Sequence, residues 1–336
     1  MSDFMEAMCI KSFGGPEVFE RARIPRPEPG PGQVLIKVAA SSVNRIDLKI
    51  RSGSVPELAP AFPALLHCDV SGTVEAVGRE VVHLKAGDRV FACAGGVGAH
   101  PGALAPFMAA DAALVAPAPR SLGLEQAAAL PLVALTAWEA IMDKARVQPG
   151  SRVLVHGGTG GVGHIALQLA KEAGAEVHAT GSSPEKIERA RRLGADRGIN
   201  YRETPVEEYV RDLTGDAGYD VVLDTVGGAN LDKSLQAAGL NCCVASTVTR
   251  SRHDLSLMHS KGLSLHAVFM LIPLLYGVGR KRHGEVLQGV AQLVDSGRLA
   301  PLIHGTSFGF SRVAEAHSLV ESGGHQGKVL LLNDLV

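Results

Sequence analysis

The chain reads as a two-part α/β protein, a β-rich unit joined to a doubly wound parallel sheet. Three observations predict this. The sequence has 336 residues, enough at roughly 100–200 residues per domain for two domains that each bury a core. Its first hundred residues carry short strands broken by Gly and Pro. From about residue 150, compact β runs alternate with helix-patterned segments, the pattern of βαβ units and a parallel sheet.

In the first part, Gln33 to Ala40 (QVLIKVAA) alternates, Gly72 to Val77 (GTVEAV) ends at Gly78, and Asp88 to Cys93 (DRVFAC) runs into a glycine loop. Such strands suggest a sandwich or barrel-like unit. In the second part, Ser151 to His156 (SRVLVH) is a compact β run. The helix after it places Val162, Ile165, Ala166, Leu169, Ala170 and Ala173 on one face, and Gly174 is suited to stop it. Glu176 to Thr180 is the next strand. Ser183 and Pro184 then open a helix through Leu193, with Ser as N-cap and Pro at the first helical position. Asp220 to Asp224 (DVVLD) is a further buried strand. The apolar run Ala267 to Val278 is too short to span a bilayer and contains Pro273, so it reads as a buried core segment.

Lys plus Arg number 33 against 34 Asp plus Glu, a net charge of −1. That argues against a nucleic-acid binder working through a global positive field, and against a chain kept disordered by charge. The five cysteines, Cys9, Cys68, Cys93, Cys242 and Cys243, show no C-x-x-C spacing. They fit neither a disulfide framework nor a thiolate zinc site, and reduced thiols in a cytoplasmic protein are the simplest expectation. The acids Asp3 and Glu6 near the N-terminus, with no long apolar run, argue against a signal peptide.

Glycine is in surplus, at 39 of 336 residues, about 12% against a usual ~7%. Five of these lie in residues 157–163, GGTGGVG. Gly158, Gly160 and Gly163 satisfy G-x-G-x-x-G directly between a strand and a patterned helix, the context in which that spacing means dinucleotide binding. On this reading Gly158 makes the tight turn, Gly160 admits a pyrophosphate, and Gly163 lets the helix lie close to the sheet. Thr159, Gly161 and Val162 complete the loop. The helix N-terminus turns free N–H groups toward the phosphates.

An NAD site usually carries Asp or Glu at the end of the second strand, where it holds a ribose hydroxyl. Here that strand ends Ala179-Thr180-Gly181-Ser182-Ser183, with Lys186 one helical turn on, and Glu185 to Arg192 holds four bases and two acids. Hydroxyls and positive charge at this point favour the 2′-phosphate of NADP(H), although some of these bases belong to a solvated helix face.

Several motifs in order resemble the medium-chain dehydrogenase/reductase superfamily, in its zinc-independent, zeta-crystallin-like quinone oxidoreductase branch. The segment from Asn44 to Gly53 looks like N-x-x-D-x-x-x-R-x-G, Asp69 to Val74 like D-x-x-G-x-V, and Gly87 to Val90 is G-D-R-V. Leu130-Pro131 with Leu135-Thr136-Ala137, Asp224-Thr225-Val226-Gly227-Gly228 and Gly327-Lys328 also match. The resemblance covers essentially the whole chain. It implies a GroES-like catalytic domain over residues 1–122 and 265–336, a Rossmann domain over 123–264, a cleft between them and a homodimer. Asn44 and Thr136 would flank the nicotinamide, and Tyr201 would join Ser182, Ser183 and Lys186 around the 2′-phosphate. Val226 and Gly227 would line the cofactor. Phe269, Met270 and Lys328 would reach it from the returning part of the catalytic domain.

The zinc-dependent relatives carry a catalytic cysteine, a Gly-His-Glu and a four-cysteine lobe. This chain has Ser42-Val43-Asn44 and His67-Cys68-Asp69 instead. A lone His–Cys pair does not supply three protein ligands, so no metal is expected. His67 stands where the branch often has Gly; it either touches substrate or donates a proton, or, more commonly for such a residue, packs at a strand start. Arg51 either stabilises developing negative charge or forms a structural ion pair. Arg280-Lys281-Arg282-His283 reads as a solvated helix start.

The resemblance implies hydride transfer from NADPH to a quinone or related carbonyl, with the proton drawn from solvent. An enone, alkenal or enoyl-thioester reductase is the alternative on the same scaffold, and a non-catalytic NADPH- or nucleic-acid-binding protein is the alternative of another class. No nucleic-acid or membrane partner is expected.

Overall fold

A computed structural model describes residues 3–335, which divide into two compact units. Unit 1 comprises the chain up to Leu132, Leu271–Gly297 and the chain from Pro301; unit 2 comprises Val133–Met270 with Arg298–Ala300.

Unit 1 opens with an antiparallel pair, β1 (Phe4–Ile10) and β2 (Phe19–Pro25). Next come β3 (Gln33–Ser42), the short helix α1 (Arg45–Arg51), β4 (Asp69–Val77), β5 (Arg89–Cys93), β6 (Phe107–Asp111) and β7 (Val115–Pro117). The alternating run predicted over residues 33–40 is β3, whose apolar Val34, Ile36 and Val38 are buried while Lys37 faces solvent. Helix α2 (Leu124–Ala127) packs on β3, β4 and β5. Its burial there carries unit 1 past residue 122.

Helix α3 (Pro131–Trp138) leads into unit 2. There β8 (Arg152–His156), α4 (Gly163–Glu172), β9 (Glu176–Gly181), α5 (Pro184–Arg192), β10 (Arg197–Asn200), α6 (Val206–Thr214), β11 (Tyr219–Asp224), α7 (Ala229–Ala237), β12 (Ala238–Ser246), α8 (Ser256–Lys261) and β13 (Ser264–Ala267) alternate. The strands form one parallel six-stranded sheet in the order β10-β9-β8-β11-β12-β13. The chain winds outward from β8 to β10, then restarts at β11 on the other side of β8. That reversal is the switch point at which open α/β sheets bind ligands, beyond the strands' carboxyl ends. Tyr219, Val222, Leu231, Leu235 and Val244 bury the α6–α7 face of the sheet.

The chain returns to unit 1 through α9 (Ile272–Tyr276), α10 (Arg280–Asp295), β14 (Phe308–Gly309), α11 (Val313–Ser322) and β15 (Leu330–Leu332). Strand β15 pairs antiparallel with β3, and β14 extends that sheet, which runs β14-β15-β3-β4-β5-β7 with β6 also on β3.

Three expectations are corrected here. Residues 264–267 do not open the return to unit 1: they pair in parallel with β12, so unit 2 runs to Met270. Phe269 and Met270 therefore belong to unit 2. Ala267 to Val278 is not a continuous core segment. Val268, Met270, Leu271 and Leu274 are buried, but Phe269, Ile272, Tyr276 and Val278 are exposed, because the sheet stops at Ala267 and the short α9 buries only one face. Cys242 and Cys243 lie on β12, both partly buried. No helix of the described residues is long and apolar enough to cross a membrane.

Candidate active site

The glycine-rich turn joins β8 to α4 at the switch point of unit 2. The left-handed conformation falls at Gly157 (φ 73) and not at Gly158. Gly158 is needed for space, since a Cβ there would stand 2.7 Å from the Ala179 Cβ on β9, and a Cβ on Gly163 would collide with the Gly157 carbonyl oxygen. The turn is thus packed from below by glycines, while Thr159, Gly160, Gly161 and Val162 at its tip are at least partly exposed.

Thr180, His156 and Thr225, none of them predicted as site residues, hold this turn. Gly157 N–H donates to Thr180 Oγ1 (3.2 Å), whose hydroxyl faces His156 Nδ1 (3.3 Å). Burial pushes the His156 imidazole down to about 4, so it stays neutral. Thr225 Oγ1 donates to the His156 carbonyl (2.7 Å), linking the ends of β8 and β11. At the β11–α7 turn, buried Asp224 accepts from the N–H groups of Val226 and Gly227 (both 3.0 Å), from Asn230 Nδ2 and from Ser246 Oγ. Gly227 has φ 74, and the Val226 side chain is 55% exposed at the carboxyl end of the sheet.

Strands β9 and β10 pair Gly181 with Asn200, so Ser182 and Tyr201 follow adjacent strand ends, and Tyr201 N–H donates to Gly181 O (3.3 Å). Lys186 lies on the first turn of α5, partly exposed. Ser183 is the helix N-cap, accepting from Lys186 N–H at 3.4 Å. It also bonds Glu185, whose carboxyl it holds below its usual range. Ser182, Lys186 and Tyr201 thus all follow the adjacent ends of β9 and β10, and each is at least partly exposed. Phe269 N–H donates to Glu139 Oε1 (3.4 Å), Met270 is buried beside it in sequence, and Thr136 is buried on α3.

In unit 1 Asn44 and Lys328 meet in a buried polar cluster. Asp69, at the start of β4, accepts from Ser42 Oγ (2.6 Å), Asn44 Nδ2 (2.8 Å) and Leu132 N–H (2.7 Å). Lys328 Nζ donates to Asn44 Oδ1 and Val43 O and lies 3.4 Å from Asp69 Oδ2. Asn44 precedes α1, and its N–H donates to Asp47 Oδ2 (2.8 Å). That is the reach-back half of a capping box. Burial raises the Asp47 carboxyl to about 7 against the pull of the Asn44 N–H. Asn44 and Lys328 are thus joined directly.

Arg51 and His67 take a different direction. Arg51 is buried and its Nη2 pairs with Glu321, the ion-pair alternative. His67 has φ 77, a left-handed conformation costing about 1–3 kcal/mol for a side chain of this kind. The 94–103 loop closes over it: a Cβ on Gly96 would lie 2.7 Å from the His67 backbone. His67 Nδ1 faces Ser42 O (3.2 Å) and Nε2 faces His317 Nε2 (2.9 Å). A carbonyl only accepts, so His67 carries its proton on Nδ1, and His317 Nε2–H is the donor between the rings. Burial holds His67 down to about 3 and His317 well below the usual imidazole range, the latter helped by His67 and Arg51. His67 is wholly buried, with a partner on α11 that no local pattern announces.

Residues 30–120 match the family described as "Alcohol dehydrogenase GroES-like domain", and residues 193–331 the one described as "Zinc-binding dehydrogenase". The chain is 32% identical over 331 residues to the quinone oxidoreductase of Rattus norvegicus, covering 98% of each. The chain belongs to the medium-chain dehydrogenase/reductase superfamily, quinone oxidoreductase branch. It is an oxidoreductase of that superfamily. The chain is also similar to an alcohol dehydrogenase superfamily protein from Novosphingobium aromaticivorans (TM-score 0.94, 38% identity, covering 98% and 100%). The Escherichia coli quinone oxidoreductase complexed with NADPH is a further structural relative (TM-score 0.85, 28% identity, 97% and 99%). At 34% identity, 96% of the chain matches a phthioceranic/hydroxyphthioceranic acid synthase of Mycobacterium tuberculosis, but spans only 15% of that protein's length.

The residues do not fit the zinc that one family description names. Among the described residues no three His, Cys, Asp or Glu side chains are grouped to hold a metal. Cys68 is wholly buried beside Asp47 and Cys93, and those neighbours and its burial push its thiol well above the usual range. Asn44 is already bonded to Asp69 and Lys328.

Proposed function

We propose that the chain is a zinc-independent, NADPH-dependent reductase whose acceptor is a quinone or related electrophilic carbonyl. The observation that supports the reading is the pairing of a glycine-packed β8–α4 turn with Ser182, Lys186 and Tyr201 at or just after the neighbouring strand ends, with no Asp or Glu in the Ala179–Ser183 strand end, where an NAD site usually holds the ribose hydroxyl. In this reading the 157–163 turn binds the pyrophosphate, and the hydroxyls and Lys186 bind the 2′-phosphate. Val226, Gly227, Phe269, Met270 and Lys328 contact the rest of the cofactor, with Asn44 and Thr136 assigned to its nicotinamide. Reduced nicotinamide supplies the hydride. His67, neutral and bonded at both ring nitrogens, and Arg51, paired with Glu321, serve structure, and solvent supplies the proton. The cytoplasm and a homodimer are the expected setting.

Purified, chelator-treated protein should oxidise NADPH with 1,4-benzoquinone or 9,10-phenanthrenequinone. Loss of activity on chelation would overturn the zinc-free reading. An enone or enoyl-thioester reductase is the second reading, favoured by the match to acid synthase sequences; faster turnover of 2-hexenal or crotonyl-CoA would select it. Lys186→Glu should weaken NADPH by about 10–100-fold, the scale of one charge-assisted phosphate contact at 1.4 kcal/mol per tenfold. NADH should change little, and equal losses for both would remove Lys186 from the phosphate site.

A further inference from the structure

Asp232, Ser251 and His253 of unit 2 have no part in the reductase reading, yet they form a connected set. Asp232 lies in the first turn of α7, and Ser251 and His253 lie in the loop that leaves the carboxyl end of β12. His253 Nδ1 is 2.8 Å from Asp232 Oδ1, and its Nε2 is 2.5 Å from Ser251 Oγ. The His253 side chain is only 7% exposed, whereas Ser251 is exposed.

The protonation pattern follows from the partners. A carboxylate oxygen accepts, so the His253 proton sits on Nδ1, and Nε2 is left with a lone pair for the Ser251 hydroxyl proton. A hydroxyl bonded to a base that is itself oriented by a third group is the arrangement that makes serine nucleophilic. The loop stands at the carboxyl edge of the parallel sheet, where open α/β folds present their reactive groups. Arg252, exposed, adjoins Ser251 and favours acyl donors that carry negative charge.

We propose that Ser251 is an acyl-accepting nucleophile, activated by His253 and oriented by Asp232, for anionic activated esters and thioesters. Ser251 Oγ attacks the acyl carbonyl carbon as its proton passes to His253 Nε2. The bond from that carbon to the leaving oxygen or sulfur breaks, and the leaving group takes the proton from Nε2. The product is an ester on Ser251. Water, deprotonated by the same nitrogen, then releases the carboxylic acid and restores the hydroxyl. No oxidant or reductant is consumed.

The alternative is a loop anchor, in which the same bonds only tie residues 251–253 to α7. The full chain treated with 4-nitrophenyl succinate should release nitrophenolate in a burst and gain one succinyl group, which peptide mapping places on Ser251. Ser251→Ala should abolish burst and adduct. His253→Gln should slow acylation about 100-fold or more, and Asp232→Asn about tenfold or more, as expected when members of one nucleophile–base set are removed. Circular dichroism checks that each variant is folded. Diisopropyl fluorophosphate should label the same serine and no other. No adduct, an adduct elsewhere, or wild-type acylation rates in folded His253→Gln would each overturn the proposal. Equal rates with 4-nitrophenyl acetate would overturn the anionic preference.

Discussion

Lys328→Met is expected to lower the unfolding free energy by about 3–5 kcal/mol, the cost of leaving a buried charge without its partner. Asp69 and Lys328 are both buried, at 0% and 3% exposure. Asp69 keeps three donors, from Ser42, Asn44 and Leu132, but loses its only nearby cation among the described residues, while Asn44 Oδ1 loses the Lys328 ammonium. Adding Asp69→Asn to Lys328→Met should recover much of the loss, since removing both charges avoids the unpaired state. Urea unfolding of the wild type, both single variants and the double variant measures the cycle. A single-variant loss under about 1 kcal/mol would show that the cluster is solvated and the pair unimportant.

The second large effect is on acid stability. His67, His156 and His317 are buried and neutral in the folded chain, two of them held near 3 and 4 and the third well below its usual range. Unfolded, each titrates near 6.5. Their contribution is therefore present above about pH 6.5 and is lost as the pH falls toward their folded values. Asp47 runs the other way: its folded carboxyl titrates at about 7 against roughly 3.9 unfolded, so its contribution is lost as the pH rises through 7. Between about pH 6 and 4.5 unfolding takes up three protons at these histidines and a fourth at His283, which burial holds near 4, and gives back one at Asp47, a net of three. Stability should then fall by about 4 kcal/mol per pH unit. Urea midpoints from pH 4.5 to 7.5 test this, and a slope under that of one proton contradicts it.

The parts legible in the sequence were those written in local periodicity. The runs at 33–40, 72–77, 88–93, 151–156, 176–180 and 220–224 all became strands. The helix after the glycine turn and the Ser183 cap appeared with nearly the expected bounds. Hydrophobic alternation and capping residues act within a few positions, so one segment suffices to read them. What stayed hidden depends on partners far along the chain. The edge strand Ser264–Ala267 is four residues of mixed polarity, recognisable only by its pairing with β12. The surplus glycines pointed to the cofactor turn, but only the packed structure shows that Gly157 supplies the left-handed bend and that Gly158 yields room to Ala179. His67 was visible as a departure from the branch pattern, yet nothing local tied it to His317. The same holds for His253, two residues from Ser251 but brought to Asp232 only by the packing of a loop on α7.

The pairing of β15 with β3 has a bearing on synthesis. Leu330 faces Ser42 in that ladder, and Lys328 neutralises the buried carboxylate of Asp69. On the ribosome, the six strands of unit 2 have all emerged well before residue 328 is made, and contacts of such long separation are slow to close. The first sheet must then wait, with the end of β3 at Ala40–Ser42 lacking its β15 partner and an uncompensated acid in its interior, while the second is already assembled. For that interval the half-built unit 1 is the part of the nascent chain most in need of a chaperone.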